Sequence, residues 1–273
     1  MSLAALCALV LVPVLAGCSD ATAVQVDPPE TGACRVLDGP LVDADSNDST
    51  VLECSEPHNA ETFAVGELPA ALHDVPREDR RIGAAAFDVC QPRFVEHLGA
   101  DTSLARRTVL SWVWFRPSAE QWAAGARWLR CDVVGAEVGG DAERRLRPLP
   151  ARTEGLLAGV PDDEWMACVA TETVPDQPRV PCSEPHRWRA ATIVRLGKPD
   201  TPYPGARLTE VRSRDFCSSS LMGFLGYPAT FQFAWTWPQR GEWRTGERTA
   251  ICWARADAIR SATQPPNPEE DGK

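Results

Sequence analysis

A repeat inside the chain is the feature that most constrains its fold. The string Cys-Ser-Glu-Pro-His occurs at 54–58 and again at 182–186. Residues 114–131 also align without a gap on residues 235–252, with Trp, Pro, Trp, Gly, Arg and Cys at shared positions. Because so many residues recur at fixed spacings, the sequence predicts two copies of one folding unit.

The elements of each copy follow from its hydrophobic pattern. A run rich in β-branched residues follows each Cys-Ser-Glu-Pro-His string and predicts a strand. A helical pattern then carries a cysteine and ends in Leu-Gly, which suits a helix C-terminus, and two more strands follow around a Trp-x-x-Gly turn. The predicted fold class is therefore α+β, with two tandem repeats, each a small, mostly antiparallel sheet with one packed helix and two disulfides.

The N-terminus has the character of an export signal. Residues 1–17 are uncharged and rich in Leu, Val and Ala, a run long enough for a signal peptide and short for a membrane span. The sequence Leu-Ala-Gly-Cys that ends at Cys18 resembles the lipobox of bacterial lipoproteins. That resemblance implies an acylated Cys18 as the first residue of the mature protein. We expect a protein anchored by lipid at the extracytoplasmic face of the cell membrane.

The domain boundaries follow from the repeat and from changes in composition. The stretch between the copies is rich in Gly, Pro and Arg, and the C-terminus is polar and rich in Pro. The predicted segments are a lipoprotein signal peptide at 1–17, a tether at 18–33, unit one at 34–138, a linker at 139–164, unit two at 165–258 and a disordered tail at 259–273.

Eight cysteines remain after the signal peptide and Cys18 are set aside, four in each unit: Cys34, Cys54, Cys90, Cys131, Cys168, Cys182, Cys217 and Cys252. An even number in an exported chain predicts disulfides, although four cysteines allow three connectivities per unit. Geometry favours the pairs that bracket a short segment, Cys34 with Cys54 and Cys168 with Cys182. The remaining pairs would then join helix to sheet.

The combined pattern resembles the septum formation-related domain of actinobacterial lipoproteins and membrane proteins. The resemblance is carried by Cys-x-x-Pro-His, by the helix with its cysteine and by Pro-x4-Trp-x2-Gly-x-Arg-x3-Cys, and it covers nearly all of residues 34–255. It implies a role at the division septum and attaches no reaction to the chain.

The repeated Pro57-His58 and Pro185-His186 allow two interpretations. His58 could act as a general base beside Glu61, and the family commonly has Glu at that position. Unit two has Arg189 there instead, and no further group is placed to orient the imidazole. The alternative, which we favour, is that the prolines fix a turn and the histidines bind backbone carbonyls.

A metal site is not expected. Cys-x3-His supplies two ligands where a closed site needs four, and disulfides would consume the thiolates. The sequence therefore predicts no metal and no cofactor.

The chain has ten tryptophans, and the repeat distinguishes two groups among them. Those repeated in both units, Trp114, Trp122, Trp235 and Trp243, are expected to fill the cores. The unrepeated Trp128, Trp188 and Trp237 are expected to be more exposed and to be available for sugars or protein surfaces.

The net charge of −10 argues against nucleic acid as a partner. The leading hypothesis is a non-enzymatic binding or scaffold protein of the cell envelope. Its expected partners are the membrane, through the N-terminal lipid, and an envelope or divisome protein or a cell-wall glycan. The alternative is a peptidoglycan-directed hydrolase that uses His58 and Glu61.

Overall fold

The computed structural model describes residues 24–38, 44–135, 137–138 and 145–263. These residues form two antiparallel sheets, each covered on one face by a long helix. This is the predicted α+β class. Residues 1–17, Cys18 and the first part of the tether lie outside the described residues, as do residues 264–273. In the part that is described, no helix is long and apolar enough to cross a membrane.

The described elements of unit one alternate strands with helices of unequal length. In chain order they are β1 (Cys34–Arg35), β2 (Ala60–Glu67), a 3-10 turn (Ala70–Leu72), α1 (Arg81–His97), α2 (Thr102–Arg106), β3 (Leu110–Phe115), α3 (Ala119–Ala123) and β4 (Trp128–Gly135). The sheet order is β1-β2-β4-β3. A small ribbon follows, in which β5 (Glu137–Val138) pairs with β6 (Arg145–Leu146).

Unit two repeats the arrangement. Its elements are β7 (Ala167–Val169), β8 (Val180–Pro181), β9 (Trp188–Arg195), α4 (Ala206–Phe224), β10 (Phe233–Thr236), α5 (Arg240–Thr245), β11 (Thr249–Arg255) and α6 (Ala256–Thr263). The sheet order is β10-β11-β9-β7-β8. The short helices α3 and α5 occupy the Trp-x-x-Gly connection, which the sequence had indicated only as an extended hairpin loop.

The two sheets agree in register as well as in strand order. Thr62 of β2 lies opposite Asp132 of β4, and Ala190 of β9 lies opposite Trp253 of β11. The strand pair of each sheet carries a β-bulge at the equivalent point. Positions can therefore be compared between the units one by one.

The structure contains the four disulfides in the pairing that geometry favoured: Cys34–Cys54, Cys90–Cys131, Cys168–Cys182 and Cys217–Cys252. Two of them join the long helix of a unit to the central strand of its sheet. The helices end as predicted, because Gly99 and Gly226 adopt φ values of +68° and +76°, which favour glycine.

Residues 145–164, the described part of the predicted linker, belong to the folded body. Leu149 N donates to His58 O over 2.9 Å, and Leu157 N donates to Leu98 O over 2.9 Å. Leu157 and Thr153 are fully buried. The Gly and Pro content suggested a free connection, but the apolar side chains between those residues complete the core of unit one.

Two other predicted boundaries also change. The tether reaches the sheet, because Gly32 N donates to Thr62 O over 2.7 Å. At the other end α6 continues to Thr263, past the predicted start of the disordered tail at 259. Ile259 packs against the core of unit two, which explains why the helix extends.

The two units share backbone bonds and core. Val109 N donates to Trp165 O over 3.0 Å, and Ala167 N donates to Arg107 O over 2.8 Å. Val109, which precedes β3 of unit one, is buried in the apolar cluster of unit two. The units therefore keep separate disulfides without being separate bodies.

Candidate functional site

The repeated histidines hold corners of the backbone. His58 Nδ1 lies 2.8 Å from Glu56 O, and His186 Nδ1 lies 2.8 Å from Glu184 O. Each ring thus binds the carbonyl two residues earlier, just before the strand that follows. His58 is only 3 % exposed, and its Nε2 has no hydrogen-bond partner. The geometry agrees with the carbonyl-binding interpretation.

Glu61 is bonded to the segment after β6 rather than to His58. Its Oε2 accepts hydrogen bonds from Thr153 N at 2.9 Å and from Thr153 Oγ1 at 2.6 Å. Its Oε1 lies 3.9 Å from His97 Nε2. Burial lowers the pKa of His97, and the Glu61 carboxylate opposes that shift. The structure thus uses Glu61 as a clamp between β2 and the segment that joins the units.

One group of potential metal ligands occurs among the described residues. Cys168, Cys182 and His186 place their ligand atoms within 4.8 Å of one another. The two sulfurs are joined in a disulfide, so neither can supply the thiolate that binds a metal. His186 alone does not make a metal site.

The expected exposure of two unrepeated tryptophans is wrong. Trp128 and Trp188 are each 6 % exposed. Trp128 begins β4, which is an inner strand of its sheet. Every residue of β4 is buried, so both faces of this strand are covered. Trp188 joins the apolar core of unit two, and its indole donates to Glu172 O. Trp237 is half-buried against the core near Trp243.

The repeated tryptophans are divided in burial. Trp122 and Trp243 are buried, with 9 % and 2 % exposure, as expected of core residues. Trp114 and Trp235 are half-buried and pack at the edges of their cores. The core prediction is thus confirmed for one repeated pair and is only partly met for the other.

The outer face of the unit-one sheet, opposite α1, carries four buried polar residues that bond to the half-buried Asn47 or to one another. We call this group the charged cluster: Arg35, Asn47, Thr62, Arg130 and Asp132. Arg130 Nη2 lies 3.0 Å from Asp132 Oδ2. Thr62 Oγ1 donates to Asp132 Oδ1 over 2.8 Å and accepts from Arg35 Nη1 over 2.7 Å. Asn47 Oδ1 accepts from Arg130 Nη2 over 2.9 Å.

The charges of the cluster do not balance. Two guanidiniums share the single carboxylate of Asp132, which is fully buried. Burial raises the pKa of Asp132, and the guanidiniums of Arg130 and Arg35 oppose the shift. The Nε atoms of both arginines and Nε1 of the adjacent Trp128 are buried without a hydrogen-bond partner. The cluster thus retains excess positive charge and unused donors, which are costly in a dry interior.

Unit two shows that the fold does not require these charges. At the positions equivalent to Arg35, Thr62, Arg130 and Asp132 it carries Val169, Ala190, Ile251 and Trp253. These four residues lie in one buried apolar cluster. Replacing buried ion pairs by packed apolar groups is often neutral or stabilising. We infer that unit one keeps the charged cluster for a reason other than stability.

A cleft of about 970 Å³ lies over the charged cluster. Arg35, Trp128 and Arg130 form its floor, and residues 24–30 and 46–51 form walls. Exposed carboxylates border the cleft: Asp27, Glu30, Asp48 and Glu120. Arg116 also lines it, and its guanidinium is paired with Asp45. The unpaired charge is therefore positive at the floor of the cleft and negative at its rim.

Arg35, Arg130 and Asp132 are not among the site residues that the sequence predicted. The signal was nevertheless present in the ungapped alignment of the repeats. Arg130 and Asp132 stand there opposite Ile251 and Trp253, at alternate positions of a strand, and so on one face of a sheet.

A model of the septum formation family matches residues 31–252 of the chain. The chain belongs to the septum formation family. The residues of the chain that match the family include the charged cluster and all four disulfides. Membership links the protein to septum formation. No curated protein and no solved structure gives a significant match.

Proposed function

We propose that this member of the septum formation family is a lipid-anchored, extracytoplasmic binding protein of the cell envelope. Its ligand would occupy the cleft of unit one. The disulfides suit an oxidising compartment outside the cytoplasm, and the sequence ending at Cys18 resembles a lipobox. Family membership supports a place of action at the septum.

One observation carries the proposal. The same sheet face is charged in unit one and apolar in unit two, on matched registers. In this proposal the units are tandem copies of one domain. The first copy keeps a binding site, and the second serves as its structural support.

We propose a binding role rather than catalysis because of where the candidate acid–base residues lie. His58 is buried and Glu61 is occupied by Thr153. Neither residue lines the cleft. Ligand binding at the charged cluster requires only the side chains that border the cleft.

The test uses a variant that makes this face of unit one apolar, as it is in unit two: Arg35→Val, Thr62→Ala, Arg130→Ile and Asp132→Val combined. The first three residues match unit two, and Val replaces Asp132 because its size is closer to that of Asp than is the equivalent Trp253. In cells whose own gene is deleted, the variant should accumulate to wild-type levels but fail to restore normal septa. Its purified form should melt no more than a few degrees below wild type, because apolar groups replace all of the buried charges together. Arg189→Val, at a half-buried position of β9 outside the cleft, is the matched control and should restore septa. Full restoration by the combined variant would refute the binding site.

The lipid anchor is tested in the same cells. Cys18→Ala should release the protein from the membrane fraction or halt its processing, while the disulfides still form. Mass spectrometry of the wild-type protein should find an acylated Cys18 at the N-terminus. An intact segment 1–17 on the mature wild-type protein would contradict the anchor and would leave the cleft assignment to its own test.

A further inference from the structure

We propose that the cleft of unit one takes a peptide-like zwitterion, with its carboxylate on the arginine floor and its ammonium at the acidic rim. This inference rests on the proposed binding function and names the chemistry of its ligand. It follows from the distribution of charge and of unused hydrogen-bonding groups around the cleft.

The floor is suited to a carboxylate. Arg35 and Arg130 border the cleft, although they are only 5 % and 2 % exposed. Arg130 pairs with Asp132 and Arg35 bonds to Thr62, so the two guanidiniums have one carboxylate between them and the floor keeps a net positive charge. Trp128 also lines the cleft, and its Nε1 is buried without a hydrogen-bond partner. A carboxylate suits such a site because guanidinium and carboxylate form strong charge-assisted hydrogen bonds.

The carboxylates at the rim disfavour a ligand that carries only negative charge. Asp27, Glu30, Asp48 and Glu120 are exposed around the cleft, and none of them forms an ion pair in the part of the chain that the structure describes. An anion without a positive group would be repelled as it entered. A cation without a negative group would be repelled by the floor. A zwitterion matches both ends, and charge complementarity of this kind selects partners.

The walls favour a peptide over a lipid headgroup with the same charges. Residues 24–30 form one wall outside regular secondary structure. In this described stretch, Gln25 O accepts a bond from Gln121, and the other backbone groups have no protein partner. A peptide backbone can pair with such groups. The volume of about 970 Å³ lies at the upper end of small-molecule sites, roughly 300–1,000 Å³, and thus suits a few residues.

The experiment uses the full mature chain with Cys18→Ala, so that it stays in solution without acylation. The probe is trialanine with both termini free, followed through the indole N–H signal of Trp128 by nuclear magnetic resonance. We expect a saturable shift of this signal. N-acetylated trialanine and trialanine amide each lose one charge, and both should bind about tenfold or more weakly.

Two variants locate the binding. The combined apolar variant, Arg35→Val, Thr62→Ala, Arg130→Ile and Asp132→Val, leaves no unpaired charge in the cluster and should abolish the shift produced by trialanine while the amide spectrum stays folded. Arg189→Val should leave binding unchanged. The inference is overturned if acetate binds as tightly as trialanine, if both capped peptides bind equally well, if only vesicles containing phosphatidylethanolamine bind, or if trialanine gives no shift.

The outcomes separate this inference from the proposed function. If the apolar variant fails to restore septa but trialanine does not bind, the binding function stands and the ligand class is wrong. If trialanine binds but the apolar variant restores septa, the cleft binds zwitterions and the proposed function is wrong.

Discussion

Asp132 holds together a cluster that would otherwise consist of unpaired buried charge. Its Oδ1 accepts from Thr62, and its Oδ2 lies beside Arg130. Arg35 reaches it only through the Thr62 hydroxyl. A buried ion pair adds little net stability compared with apolar packing, but removing one partner leaves a charge that is neither solvated nor paired. A single substitution at Asp132 should thus cost far more stability than the combined apolar substitution of the cluster.

We predict that Asp132→Asn lowers the free energy of unfolding by about 3–5 kcal/mol. The amide preserves the shape of the side chain but leaves two guanidiniums without a counter-charge. Urea denaturation measures the loss. Asp163→Asn removes an exposed partner of Arg189 and should cost less than about 1 kcal/mol. Equal losses in the two variants would show that the cluster is solvated rather than buried.

The helices α1 and α4 hold equivalent positions in the two units but differ in the elements that they pack against. Both are joined to their sheet by a disulfide. In addition, α1 packs against α5 of the other unit, whereas α4 packs mainly against its own sheet. An apolar part of α4 remains exposed, at Phe216 and Phe224. The disulfide of α4 thus fastens a helix that is held mainly by its own sheet, whereas α1 is also held by the other unit.

We predict a larger local effect when the disulfide of α4 is removed. The disulfides Cys217–Cys252 and Cys90–Cys131 close loops of 35 and 41 residues, and each should contribute about 3–4 kcal/mol by loop closure. Replacing Cys217 and Cys252 by Ala should accelerate amide hydrogen exchange throughout α4. Replacing Cys90 and Cys131 by Ala is the control, and in that variant α1 should keep more of its protection from hydrogen exchange. Equal loss of protection in both helices would contradict this account.

Contacts across the boundary between the two units also stabilise the whole molecule. Arg106 of α2 forms an ion pair with Glu247, which follows α5. Phe87 of α1 lies against Gly246, where an added Cβ would come within 2.6 Å of the ring. Together with the shared backbone bonds near Val109, these contacts predict that the two units unfold together.

We predict that Glu247→Gln uncouples the units. The substitution leaves Arg106 without its carboxylate partner and should cost about 2–3 kcal/mol, below the range for a fully buried pair because Arg106 remains 25 % exposed. Differential scanning calorimetry should show one transition for the wild type and a broadened or double transition for the variant. Glu184→Gln breaks the more exposed inter-unit pair with Arg147 and should leave one transition. Two transitions in the wild type would mean that the units fold independently.

The sequence alone determined the repeat, the fold class, the helix ends at Leu-Gly and the disulfide pairing that geometry favoured. These features depend on local periodicity and on the short reach of the chain between cysteines, both of which are visible in linear order. The structural role of the Pro-His corners was also accessible, because each histidine binds a carbonyl only two residues away.

The tertiary structure decided the features that need distant strands and segments to meet. The burial of Trp128 depends on neighbours on both sides of β4, and the bonds of Glu61 depend on Thr153, 92 residues further along the chain. The charged cluster exists because β1, β2 and β4 present Arg35, Thr62 and Asp132 on one face. The sequence shows which residues of a strand share a face, but it does not show which segment covers that face. The covering segment determines whether a charged side chain is solvated or becomes part of a site.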